Sequence, residues 1–448
     1  MIFAKRALLP GGWDSGVRVL VDDGRISKVQ TATTAAPGDS IVDCLLPGMA
    51  NVHSHAFQRG VAGLAEGRRA GRESFWTWRE TMYRFALSVD PDAVQCLAEM
   101  AYVEMLEAGF TRVGEFHYLH RAPDGRPYDD PAELTARIFA AAAATGIALT
   151  HLPVFYAHGG FGPAPASDGQ RRFLQSVDSF VDLVAAADRL ARRGGDRVGY
   201  APHSLRAASE ADLAMLAAAF PDRVVHIHVA EQEREVADCL AFSGERPVAW
   251  LAARVALDAR WCLIHATHMT AAEVRTVARS GAVAGLCPVT EANLGDGVFE
   301  APDYLRAGGR LAVGTDSNIR IDLAEELRTL EYGQRLTRRA RNVLAEDGGS
   351  TGRRLFDAAA FGGAQALGAE PPEIASGRPA DLVGLTDPHR LPGGGDRLLD
   401  RWIFARDVSV SDVWAAGVHV VSGGAHVARA QVADRFGATL RRLLDGAL

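Results

Sequence analysis

Eight short apolar runs, each separated from the next by helical periodicity, restrict the fold of this chain more than any other feature. They are LPGMANVHSH (46–55), TRVGEFHY (111–118), ALTHLPVFY (148–156), RVGYAPHS (197–204), VVHIHVAE (224–231), WCLIHATH (261–268), AVAGLCP (282–288) and RLAVGTDS (310–317). Between them lie stretches such as 90–109, 209–220 and 270–281, several opened by Ser, Thr or Asp and stopped near Gly, as helix caps should be. Strands alternating with helices predict a parallel sheet built from crossover units. Eight such strands are the number that closes a (β/α)8 barrel. The chain has 448 residues, about three ordinary domain lengths, but an α/β barrel fills most of that as one unit.

The two ends read differently. Residues 1–45 alternate apolar and polar positions around Asp23-Gly24, a hairpin signal, and SGRPADLVGLTD (376–387) and VSVSDVWAAGVHVVSGG (408–424) are again β-rich. The expectation is a small β-sandwich domain composed of residues 1–46 and 371–431, a barrel at 47–370, and a C-terminal helix at 432–448.

Composition removes several function classes. The net charge is −7 with acids and bases interspersed, so no nucleic-acid surface is expected. The N-terminus breaks at Pro10-Gly11-Gly12 before a signal-peptide core forms, and the longest apolar run, near 138–144, is too short for a bilayer. No membrane partner is expected. Cys44, Cys96, Cys239, Cys262 and Cys287 are scattered without a CxxC pair, which points to a reducing compartment and to the cytoplasm.

Polar residues gather at the strand ends, where barrels of this kind place their chemistry. His53 and His55 close the first strand, Tyr118 the second, His203 the fourth, His228 the fifth, His265 the sixth and Asp316 the eighth. Side chains two apart on a strand share a face, so His53 and His55 point together, as do His226 and His228. One buried histidine is usually packing, but this concentration at strand ends is harder to explain that way. Glu231 follows His228 where strand gives way to helix; a carboxylate there also suits a helix N-terminus. Three imidazoles and one carboxylate, Asp316, make a donor set for Zn²⁺ or Fe²⁺. Such an ion lowers the pKa of bound water towards ~7 and makes hydroxide available.

PGMANVHSH, HIHVAE, CLIHATH and VGTDSN, in this order, resemble the metal-dependent deaminases of the amidohydrolase superfamily, and SGRPADLVGL resembles the return into its terminal β-domain. The likeness runs over nearly the whole chain. Carried over by position, it implies His53, His55, His228 and Asp316 as metal ligands, with Glu231, His265 and Asp316 handling protons. Two-metal members of the superfamily bridge their ions with a carboxylated lysine. The only lysines here are Lys5 and Lys28, so one divalent ion per chain is expected, Zn²⁺ or alternatively Fe²⁺. A homodimer is usual among such relatives.

HSHAFQRGVAGL, SFWTWRETMY, FHYLH, GFGPAPASDGQRRF, APHSLR and PVTEANLGDGVF are similar, within that superfamily, to the branch acting on N-formimidoyl-L-glutamate in histidine degradation. That resemblance implies hydrolysis to N-formyl-L-glutamate and ammonia, by attack of a metal-bound hydroxide on the formimidoyl carbon. It also implies substrate contacts from Gln58, Arg79, Tyr118, His203 and Arg206. The chemistry agrees, because a small dicarboxylate suits two arginine forks. In isolation Arg79 in WTWRE also fits a solvated helix face, whereas Arg206, after APHSL, belongs to a loop facing the barrel mouth. Whether His265 or Asp316 acts first as base stays open. Two other readings are carried forward: a deaminase or chlorohydrolase of guanine, an adenosine derivative or a triazine, and a silent barrel serving as a scaffold.

Overall fold

A computed structural model describes residues 1–67, 74–391 and 395–445. The chain opens with β1 (Ile2–Leu9), β2 (Gly12–Asp22), β3 (Arg25–Gln30) and β4 (Ser40–Pro47). Asp23 and Gly24 turn β2 into β3 with Asp22 paired to Arg25; both turn residues have positive φ (44° and 75°), the conformation a two-residue hairpin needs.

The barrel strands follow: β5 (Met49–Ser54), β6 (Phe110–His117), β7 (Ala148–Phe155), β8 (Arg197–Val198), β9 (Ala201–Pro202), β10 (Val225–Val229), β11 (Trp261–His265), β12 (Val283–Leu286) and β13 (Arg310–Val313). All pairings among them are parallel. Two arcs result, β5-β6-β7-β8/β9 and β10-β11-β12-β13. Bridges Tyr200–Val225 and Ser204–His228 join them on one side, and Ser54–Asp316 on the other. The run 197–204, expected as one strand, forms two pieces of two residues, β8 and β9, the second ending on Pro202, which has no N–H for a ladder.

The intervening helices are capped as their sequences suggest. Asp90, Ser209 and Thr270 each accept a backbone N–H three residues on, at the starts of helices Pro91–Glu107, Glu210–Ala219 and Ala271–Ser280. Val52, Cys262, Ile264 and Ala312 fill the barrel interior together with Ala366 and Leu367, which end the helix Thr351–Ala366 and plug the base. His226, on the same face as His228, is spent there: its Nε2 meets the Ala366 carbonyl at 2.8 Å.

After the barrel come β14 (Leu382–Thr386), β15 (Ser409–Ala415), β16 (Val418–Ser422) and β17 (Ala425–His426). They join the first four strands in one hydrogen-bonded path, β17-β16-β15-β14-β4-β1-β2-β3. The path is continuous because β4 pairs with β1 on one edge and β14 on the other. Its own apolar cluster unites Val19, Ile26, Val42, Leu382 and Trp414. The last helix spans Arg429–Asp445; residues 446–448 of the expected terminal helix lie outside the described residues. No helix among the described residues is long and apolar enough to cross a membrane.

Candidate active site

Barrel closure brings the ends of β5, β10 and β13 to one point. Gly314 permits the approach of the last strand to the first, since a Cβ there would stand 2.7 Å from the His53 nitrogen. The Asp316 N–H then donates to the His53 carbonyl, and the His55 N–H to the Asp316 carbonyl, both at 2.9 Å. Asn51, Ser54, Thr315 and Asn318 fasten the same junction with buried side-chain hydrogen bonds.

Four ligand-type atoms converge there. His53 Nε2 lies 3.1 Å from His55 Nε2 and 3.0 Å from His228 Nε2. Asp316 Oδ1 is 3.3 Å from His53 Nε2 and 3.1 Å from His55 Nε2. The other ring nitrogens set the tautomers: His55 Nδ1 donates to the Phe116 carbonyl at 2.8 Å and His228 Nδ1 to the His203 carbonyl at 3.1 Å. Their Nε2 lone pairs therefore face inward. His53 has one proton to offer and its Nδ1 is buried without a partner, so it cannot relieve both neighbours. A cation resolves the crowding, and outer-shell carbonyls that orient imidazoles are the usual support of a metal centre. Burial holds His53 down to about 3 and His228 well below the usual histidine range, so both rings are neutral. Asp316 is also buried, but the facing His53 and His55 rings outweigh that and hold it well below the usual carboxylate range.

A proton-handling pair adjoins this point. His265 Nε2 lies 3.8 Å from Glu231 Oε1 and 3.9 Å from Asp316 Oδ2. Burial opposes charge on His265, yet Glu231, the hydrogen bond to Glu291, and Asp316 raise it to about 10. Burial pushes Glu231 up to about 7, against the pull of His265 and Arg206. His265 (φ 66°) and Asp316 (φ 44°) both hold the left-handed conformation, a strain of ~1–3 kcal/mol each that concentrates at functional sites.

Above lies a pocket lined by Arg79, Tyr118, His203, Arg206, Glu231 and His265, with Tyr83, Tyr156 and Phe173 among its aromatic walls. Arg206 is 9% exposed, its Nη1 buried without a partner. Among the described residues, neither Arg79 nor Arg206 has a carboxylate within ion-pair distance. Instead the guanidinium carbons lie 4.5 Å and 5.8 Å from the centre of the Trp76 ring. The pocket thus offers two positive forks to an anionic visitor.

Of the residues singled out in the sequence, His53, His55, His228 and Asp316 meet at one point, and Glu231, His265, Tyr118, His203, Arg79 and Arg206 surround it. Gln58 stands apart. It is buried behind Tyr118, to whose hydroxyl its Nε2 donates at 2.6 Å, and it does not line the pocket.

Sequence reasoning gave no role to Glu291, on the helix Pro288–Leu294. Its Oε1 lies 3.1 Å from His265 Nδ1 and accepts the Cys287 N–H at 2.8 Å. The signal was present in PVTEANL, a carboxylate one turn inside a helix at a strand end. Glu291→Ala should lower turnover by ~10- to 100-fold, the scale of losing a support to a positioned histidine. Steady-state kinetics with parallel metal analysis checks this; unchanged kcat would show that His265 needs no such support.

The family model described as "Amidohydrolase family" matches residues 44–420, and that described as "Formimidoylglutamate deiminase HutF, N-terminal domain" matches residues 1–42. A formimidoylglutamate deiminase of Pseudomonas aeruginosa is 50% identical over 99% of both chains. The crystal structure of an amidohydrolase from Brucella melitensis superposes with a TM-score of 0.96 at 51% identity, covering 99% of each chain. An adenosine deaminase from Xanthomonas campestris, solved with bound zinc, has the same fold at 24% identity, with a TM-score of 0.81 over 100% of this chain and 98% of its own.

Proposed function

This chain belongs to the amidohydrolase family, a metal-dependent hydrolase of C–N bonds, and on that footing we propose how it acts. It deiminates N-formimidoyl-L-glutamate to N-formyl-L-glutamate and ammonia. The observation that carries the mechanism is the convergence of three imidazole nitrogens and one carboxylate oxygen beneath a pocket whose two arginines have no carboxylate within ion-pair distance among the described residues.

In our reading His53, His55, His228 and Asp316 hold one divalent ion, Zn²⁺ or alternatively Fe²⁺. When bound, the ion supplies Lewis-acid activation of water at neutral pH. Arg79 and Arg206 hold the two substrate carboxylates, Arg206 from within the wall and Arg79 from the rim. Tyr118, kept in place by Gln58, and His203 bound the space in which the formimidoyl head lies. Asp316 takes the proton released as water oxygen bonds to the formimidoyl carbon, beside the His265 imidazolium that Glu231, Glu291 and Asp316 keep charged. Glu231 delivers one proton to the nitrogen and recovers one from the attacking oxygen, the proton held by Asp316 passes to the same nitrogen, the C–N bond breaks, and ammonia leaves. The barrel, 47–370, carries this chemistry. Residues 1–46 and 371–431 form the composite β-domain, read as a sandwich, and the helix Arg429–Asp445 follows it. We place the enzyme in the cytoplasm, in keeping with its five free, buried cysteines, and propose that it works as a homodimer.

The test is ammonia release from formimidoylglutamate alongside guanine and 5′-methylthioadenosine, with elemental analysis of the active protein. The expected result is strong preference for formimidoylglutamate with close to one ion per chain. A requirement for two ions would overturn the mononuclear centre, and a preference for a nucleobase the substrate. Absence of any turnover by metal-replete protein would favour the scaffold.

A further inference from the structure

A second set of ligand-type side chains lies beside the first. One ring nitrogen of His265, the Cys287 Sγ and one carboxylate oxygen of Asp316 all lie within 4.8 Å of one another, and all three residues are buried. Cys287 stands between β12 and the helix Pro288–Leu294. Its backbone N–H serves Glu291, but its thiol has no part in the chemistry above.

Asp316 divides its two oxygens between the sets. Oδ1 faces His53 and His55, whereas Oδ2 faces His265 Nε2 at 3.9 Å. The carboxylate can therefore reach a second ion without releasing the first. Glu231 and Glu291 flank the same imidazole at 3.8 Å and 3.1 Å, so three carboxylates surround one histidine and the local field favours a cation. A thiol, an imidazole and a carboxylate together select soft or borderline ions over Mg²⁺ or Ca²⁺.

We propose that His265, Cys287 and Asp316 form a second, inhibitory site for Zn²⁺ or Cd²⁺ beside the catalytic ion. The inference rests on the reading of His53, His55, His228 and Asp316 as the catalytic centre. Binding replaces the Cys287 thiol proton and one His265 ring proton, both of which pass to solvent, with sulfur–metal and nitrogen–metal bonds, and no electrons are transferred. An ion there displaces the His265 ring proton and occupies the free Asp316 oxygen, removing both groups from the reaction. The barrel has no lysine to carry a bridging carbamate, and two of the three residues that the second ion takes, His265 and Asp316, are needed for the reaction, so it blocks the centre and does not complete it.

Protein loaded with one equivalent of Zn²⁺ and then titrated with CdCl₂ tests this. Wild type should gain an ultraviolet thiolate-to-cadmium charge-transfer band saturating at one further ion per chain. Activity should fall in step by ~10²-fold, the scale of losing positioned acid–base groups. Cys287→Ser and Cys287→Ala, compared at one equivalent of Zn²⁺, should turn over as wild type does, show no such band and resist the added ion. Persistence of band and inhibition in both variants overturns the proposal, as does a second ion that binds wild type without loss of activity. Inactivity of all three proteins at one equivalent of Zn²⁺ would instead refute the catalytic reading, while the band still reports on Cys287.

Discussion

Glu231→Gln is expected to lower kcat for formimidoylglutamate by ~10²-fold or more, the usual scale for a lost acid–base group, with metal content unchanged. Glu231 is buried, and its backbone N–H is held by the Glu235 carboxylate at 3.1 Å. Glutamine fits the same space and keeps a polar tip towards His265, but it cannot deliver a proton. The pH profile gives an independent check. Burial raises Glu231 to about 7, and the protonated form is the one that donates. In wild type kcat/KM should therefore fall as pH rises through about 7, and in the variant that limb should vanish along with most of the rate. Metal lost together with activity would mean that Glu231 supports the ion and that the assignment as acid is wrong.

Arg206→Met and Arg79→Met are expected to erode preference for a dicarboxylate. Removing a charge-assisted hydrogen bond in a closed site costs roughly 1.5–3 kcal/mol, or about 10- to 150-fold in kcat/KM. Arg206 should show the larger effect, because it is 9% exposed with a buried, unpartnered Nη1, whereas Arg79 is only half-buried and also lies 5.4 Å from the Tyr83 ring centre. Part of the loss should appear in kcat, since remote binding orients the reacting carbon. Comparing formimidoylglutamate with an analogue lacking one carboxylate, on wild type and both variants, isolates the effect. Metal content should not change. If neither substitution narrows the gap between the two substrates, the arginines do not hold the carboxylates.

By itself the sequence determined the order of strands and helices, the helix starts at Asp90, Ser209 and Thr270, the Asp23-Gly24 hairpin, and which polar residues stand at strand ends. These properties are local: periodicity records which face is buried, and a cap or a turn needs only a few neighbouring residues. Other features depended on the tertiary structure. Asp316 meets His53 because the barrel closes β13 onto β5 across a glycine, a contact no spacing rule encodes. His226 shares a strand face with His228 yet falls two residues lower, against the plug at Ala366, where a carbonyl satisfies it. Gln58 lies behind Tyr118 and not in the pocket because the short helix Ala56–Val61 turns it under that ring. Glu291 reaches His265 from the next strand–helix junction, and Trp76 comes to lie beneath the guanidinium group of Arg206 from a helix preceding β6. Each of these contacts joins residues whose local patterns are independent, so only the closed barrel and the loops over its mouth decide which of them touch.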